Sequence, residues 1–140
     1  MKILVDTSVW SLALRRRRTA HDPSVVELSE LIKELRVQMI GPIRQEILSG
    51  ISSKSQFLKL RETLRAFPDL ELTSQDCELA AEFYNIGRKH GIQGSNTDFL
   101  ICALSKRHEM PVFTTDKDFV LFSNHLPITL HAPRAKGCLE

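Results

Sequence analysis

No stretch of this 140-residue chain is apolar for anything near the ~20 consecutive residues that a membrane-spanning helix requires. Cysteine is scarce as well. Cys77, Cys102 and Cys138 are odd in number, far apart, and form neither a C-x-x-C pair nor zinc-ligand spacing with the five histidines. A disulfide framework and a structural zinc are therefore set aside, and a reducing, cytoplasmic setting is expected. Beyond phenylalanine the aromatics amount to one Trp and one Tyr, which speaks against nucleic-acid binding by extended base stacking. No G-x-S-x-G, Walker or G-x-G-x-x-G element occurs, so α/β-hydrolase, P-loop and dinucleotide-binding chemistry lack their motifs. A strand-like run begins one residue after Met1, which is not the pattern of a signal or transit peptide.

What is present suits one globular domain, expected over residues 1–133 with a short tail from 134 to 140. A chain of this length buries roughly 68–70% of its unfolded surface, enough for a core without covalent staples. The net charge of +2 decides little, but its distribution is uneven. The only dense block is Arg15-Arg16-Arg17-Arg18. Such a block is ordinarily a solvated loop; its functional alternative is an arm that contacts phosphate or a partner.

Hydrophobic spacing predicts alternating strands and helices. Lys2–Asp6 reads as a buried parallel strand, followed by a helix carrying Val9, Trp10, Ala13 and Leu14. Asp22-Pro23 marks a helix start, with Val25, Leu28, Ile32 and Leu35 following at helical spacing. Val37–Ile40 is a second strand and Ile43–Leu48 a short helix. Phe57, Leu60 and Leu64 lie on a further helix ending before Pro68. Leu70–Leu72 reads as a short strand, and Thr73 caps a long helix that Gly91 ends. The helix opened by Ser95 or Asn96 is apolar nearly all round from Phe99 to Leu104 and should be central. Pro111–Thr114 and Ile128–Leu130 complete a set of about five strands. The expected fold is a three-layer α/β/α sandwich around a mostly parallel sheet.

Acidic residues fall on one rim of that sheet. Asp6 ends the first strand, Glu46 follows the second, Asp98 lies in the first turn of the buried helix, and Asp116 and Asp118 follow Thr114. Ligands of open parallel sheets bind beyond the carboxyl ends of the strands. Each acid also has a purely structural reading. Asp6 suits a helix cap, Ser95-Asn-Thr-Asp98 a capping box, Asp116 and Asp118 a helix dipole, and Glu46 a solvated face near Arg44. Together they amount to more, because Arg44 and Lys117 are too few to neutralise the set. Clustered carboxylates repel unless a cation compensates. Oxygen ligands without His or Cys select Mg²⁺ or Mn²⁺ over zinc. Two such ions clamp the attacking and leaving oxygens of an in-line displacement, which is the chemistry of phosphodiester hydrolysis.

The same segments resemble the PIN-domain nucleases along nearly the whole chain. The matching pieces are Leu4-Val-Asp-Thr-Ser8, Gln45-Glu-Ile-Leu-Ser-Gly50, Gly94-Ser-Asn-Thr-Asp-Phe-Leu-Ile-Cys102 and Thr114-Thr-Asp-Lys-Asp-Phe119. The resemblance implies that Asp6, Glu46, Asp98 and Asp116 form an acidic metal-binding quartet, with Asp118 auxiliary. It also implies that Thr7 or Ser8, and Thr114, position a metal-bound water or another ligand. A chain of this length is similar to the VapC-type toxins, which cut RNA, pair into homodimers and are held inactive by a VapB-type antitoxin. Helix faces bearing Phe57/Leu60/Leu64 and Val25/Leu28/Ile32 would serve such contacts or ordinary core packing. Arg15–Arg18, Arg44, Lys54, Lys59, Arg61 and Arg65 are candidates for a basic rim that holds RNA by shape. The alternatives are an RNA-processing nuclease outside any toxin pair, a non-catalytic PIN-like binding module, and a receiver-like signalling domain. The last is disfavoured because Lys117 sits between two aspartates.

Overall fold

The protein is described from a computed structural model over residues 1–14 and 20–134, so Arg15–Arg18 fall outside the described residues. Strand β1 (Ile3–Val5) is the spine of the fold, and all three of its residues are fully buried. β2 (Val37–Gln38) and β3 (Val112–Phe113) flank it in parallel, giving the order β2-β1-β3. The register pairs Ile3 with Val37 and Val5 with Phe113.

In place of the short strand expected at Leu70–Leu72 and the last strand expected at Ile128–Leu130, the sheet has single parallel bridges, Met39 with Asp69 and Val112 with Leu130. The second strand is likewise shorter than Val37–Ile40, with Met39 reduced to the bridge. Five segments thus lie side by side, but the outer two are pinned at a point. Among the described residues each outer segment has a neighbour on one side only. Pro68 and Pro127, which have no N–H to give a ladder, stand just before them.

The helices follow from their caps. Asp6 caps α1 (Thr7–Ala13), and Asp22 caps α2 (Pro23–Lys33) with proline in its first turn. α3 (Gly41–Leu48) begins at Gly41-Pro42, and Ser53 caps α4 (Lys54–Leu64). Reciprocal capping boxes open α5 (Ser74–Lys89) through Thr73 and Asp76, and α6 (Asn96–His108) through Ser95 and Asp98. α7 (Asp118–His125) closes the set. With helices layered on the sheet, the architecture is the expected α/β/α sandwich.

α6 is the central helix, burying Phe99, Ile101, Cys102, Ala103, Leu104 and Ser105. It runs antiparallel to α5: the Phe99 ring lies against Gly87, while Arg107 reaches back to the buried Asp76. Core packing claims most of the faces considered for association. Leu28 and Leu64 are buried, Val25, Phe57 and Leu60 half-buried, and Ile32 alone is exposed. Arg134, assigned to the tail on sequence, is held by Glu27 of α2 and by Glu34, the residue that caps its end. Among the described residues no helix is long and apolar enough to cross a membrane.

Candidate metal centre

Asp6 leaves the carboxyl end of β1 and turns the chain into α1, and its own side chain makes that turn possible. Its Oδ2 accepts from the Ser8 amide (3.4 Å) and the Ser8 hydroxyl (2.8 Å). Thr114, just past β3, donates its hydroxyl to the same oxygen at 2.9 Å. Asp6 is nearly buried, at 6% exposure, yet it has no salt bridge among the described residues. Buried charges are ordinarily paired or bound to metal.

Asp98 reaches the same rim from the first turn of α6. Its Oδ2 accepts from the Ser95 amide at 3.1 Å, closing the capping box. Burial pushes its carboxyl above the usual carboxylate range against that bond, and the charges of Asp6 and Asp116 push it further. Asp98 therefore feels the negative charge of both other acids. Asp116 enters from the β3–α7 loop, its amide bonded to Thr114 Oγ1 (3.0 Å) and its Oδ1 accepting from the Asp118 amide (2.9 Å). Glu46 stands on an exposed position of α3, but Thr7 Oγ1 donates to its Oε1 at 2.5 Å and ties it to the head of α1.

One pattern runs through the four acids. Each has one oxygen occupied by a protein donor, and the other has none among the described residues. The structural readings of Asp6, Asp98 and Asp116 are thus observed, and they leave a second oxygen of each side chain available. Asp118 is exposed, and among the described residues it joins the others through its backbone amide. Among the described residues no three acidic, histidine or cysteine side chains close into a ligand cage. The donor set nonetheless fits a hard divalent ion, which needs only one or two direct carboxylates and keeps water for the rest.

Cys102, read from sequence as core, lies one turn after Asp98. Burial first, then the charges of Asp98 and Asp6, push its thiol up to about 12, so it stays neutral beneath the acids. Gly94 is a residue whose spatial reason sequence did not reveal: a Cβ there would stand 2.7 Å from the Phe122 ring. The basic rim is thinner than expected. Arg44 is committed to Asp69 and to the carbonyls of Leu64 and Phe67. Arg61 and Arg65 share Glu62, whereas Lys54 and Lys59 have no ion pair among the described residues.

The sequence profile of the PIN domain matches residues 3–123. The chain belongs to the PIN domain family. This PIN domain is 33% identical over 121 residues to the VapC ribonuclease Mb1587 of Mycobacterium bovis, covering 84% of this chain and 88% of that protein. Ribonuclease VapC11 of Mycobacterium tuberculosis matches to the same extent. Among solved structures, FitAcB from Neisseria gonorrhoeae superposes with a TM-score of 0.75 at 23% identity, covering 94% of this PIN domain and 97% of that chain. VapBC2 from Rickettsia felis, bound to a DNA fragment from their promoter, gives a TM-score of 0.75 at 17% identity and covers 94% and 98%. At those identities the structural likeness speaks for the fold alone.

Proposed function

We propose that this PIN domain is a metal-dependent endoribonuclease, the toxin of a VapBC-type toxin–antitoxin pair. The observation that carries the reading is a set of four carboxylates, each with an oxygen that no donor among the described residues takes and none with an ion pair among those residues, in which Asp98 feels the charges of Asp6 and Asp116. The relatives named as VapC ribonucleases support the substrate class, and the VapBC2 complex of Rickettsia felis supports the kind of partner. Asp6, Glu46, Asp98 and Asp116 would hold Mg²⁺ or Mn²⁺, with Asp118 at the edge. Such an ion supplies charge neutralisation and Lewis acidity at a phosphodiester.

The chain's own contribution is arrangement. Asp6 is fixed by Ser8 and Thr114, Glu46 is drawn in by Thr7, and Asp98 is held by the frame of the most buried helix. Lys54 and Lys59 on α4 are exposed cations with no ion pair among the described residues and would meet RNA phosphate, and Lys59 lines a groove of about 860 Å³ with Glu46 at its wall. A VapB-type antitoxin and a second copy of the chain are the protein partners of this reading.

Purified protein should cut RNA when Mg²⁺ or Mn²⁺ is added and stop in EDTA. Asp6→Ala and Asp98→Ala should lower the rate below about one hundredth of wild type with an unchanged circular dichroism spectrum. Expression of the chain alone should arrest bacterial growth, and the same variants should relieve the arrest. RNA cleavage without arrest would assign the protein to RNA processing instead.

A further inference from the structure

The four acids are not held alike. Asp98 Oδ2 and Asp116 Oδ1 each accept from a single backbone amide, and Glu46 Oε1 accepts from one hydroxyl. Asp6 Oδ2 alone accepts from two side-chain hydroxyls, Ser8 at 2.8 Å and Thr114 at 2.9 Å, with the Ser8 amide behind them at 3.4 Å. Both hydroxyls are acceptors in their turn. The Thr115 amide donates to Ser8 Oγ and the Asp116 amide to Thr114 Oγ1, each at 3.0 Å. A hydroxyl has one proton to give. With those protons committed to Asp6, the 3.2 Å approach between the two hydroxyls is a contact rather than a bond. Two relays, from loop amide through hydroxyl to carboxylate, therefore end on the same oxygen. Neither reaches Oδ1.

This arrangement differs from hydroxyls that face a water or an ion. Resting on the metal-centre reading above, we propose that Ser8 and Thr114 are positioning residues that also select the ion: by holding Oδ2 they make Asp6 a one-oxygen ligand. Ca²⁺ takes six to eight oxygens, in part from carboxylates that offer both, whereas Mg²⁺ keeps near-octahedral geometry with one or two carboxylate oxygens and water. An Asp6 that turned both oxygens to an ion would give up charge-assisted bonds in a nearly buried place. The clip thus favours Mg²⁺ and Mn²⁺ over Ca²⁺. Because its far ends are the Thr115 and Asp116 amides, it also fixes the loop that presents Asp116.

Mn²⁺ uptake read from the free-ion electron paramagnetic resonance signal tests this, with Mg²⁺ and Ca²⁺ as separate competitors. Wild type is compared with Ser8→Ala, Thr114→Val and Thr114→Ser. Ser8→Ala and Thr114→Val should weaken Mn²⁺ and Mg²⁺ binding by about 10–100-fold. Ca²⁺ binding should hold or tighten in them, moving the Ca²⁺/Mg²⁺ preference toward Ca²⁺ by about tenfold or more on the same footing. Thr114→Ser, which keeps the hydroxyl, should keep the wild-type preference. An identical preference in all four proteins would overturn the proposal while leaving the metal centre intact. A wild-type protein that takes up no Mn²⁺ would overturn both.

Discussion

Thr7 shows how much one hydroxyl can decide. Glu46 projects from an exposed position of α3, and the bond from Thr7 Oγ1 is its only described tie to the other acids. Thr7→Val should therefore slow RNA cleavage by about tenfold or more, and Thr7→Ser should restore it. Arg44 makes the opposite case. Its guanidinium joins α3 to the turn after α4 through Asp69 and the carbonyls of Leu64 and Phe67. Arg44→Ala should cost about 2 kcal/mol in denaturant unfolding, as lost charge-assisted bonds do, with RNA affinity unchanged. Sequence distance hid this partnership, since Arg44 and Asp69 meet only once the chain has folded. The positions of Asp6, Asp98 and Asp116 on one rim were legible because strand ends and helix starts can be read from spacing. What spacing could not convey is which oxygen each acid commits to a neighbouring donor, because that depends on side-chain rotamers. In Asp98 the capping role falls to Oδ2, and Oδ1 has no donor among the described residues.

At the scale of elements, α6 is the piece on which the site depends. Its burial was readable from an apolar run longer than one helical face, and the Ser95/Asp98 box from its residue types. The closeness of its approach was not. Gly94 lies between the Phe122 and Phe99 rings, and an added Cβ would stand 2.7 Å from one and 3.1 Å from the other. Gly94→Ala should force the rings apart at a cost of about 1–3 kcal/mol, lower the thermal midpoint, and slow cleavage by displacing the turn that carries Asp98. An unchanged midpoint and rate would mean that the rings move freely. The sheet edges at Leu70–Leu72 and Ile128–Leu130 read as strands yet form single bridges, because short apolar segments look alike in sequence whether one neighbour or two will pair with them.

For the whole molecule, ionised side chains act in two opposed ways. Glu27 and Asp76 are buried acids that join distant parts of the chain. Glu27 meets His131 and Arg134 near the C-terminal end, and Asp76 meets Thr73 and Arg107. Burial alone would raise both, but bonds from those partners outweigh it and hold each carboxyl below its ordinary value, 4.5 for Glu27 and 3.8 for Asp76. A depressed folded value stabilises the protein above the ordinary value, and that stability is lost as pH falls through the folded one. The thermal midpoint should therefore drop as the solution is acidified below about 4.5, and Glu27→Gln should show a lower midpoint at neutral pH with a shallower acid loss. Equal pH slopes for the two proteins would remove Glu27 from the account.

Asp98 works the other way. Its carboxyl is raised by burial and by Asp6 and Asp116, so it is stabilising only while protonated, and it costs stability once pH rises through its folded value. At neutral pH the acidic rim is a strain on the fold that a divalent ion should relieve. The most direct measurement is the thermal midpoint of wild type and Asp98→Asn at neutral pH, each in EDTA and with Mg²⁺ or Mn²⁺. Wild type should melt below Asp98→Asn in EDTA and rise when either ion is added, by about 2.7 kcal/mol of stability at a hundredfold excess over its dissociation constant. Asp98→Asn should respond little. A wild type that melts no lower than the variant in EDTA, or that gains nothing from either ion, would contradict a metal centre built from these acids.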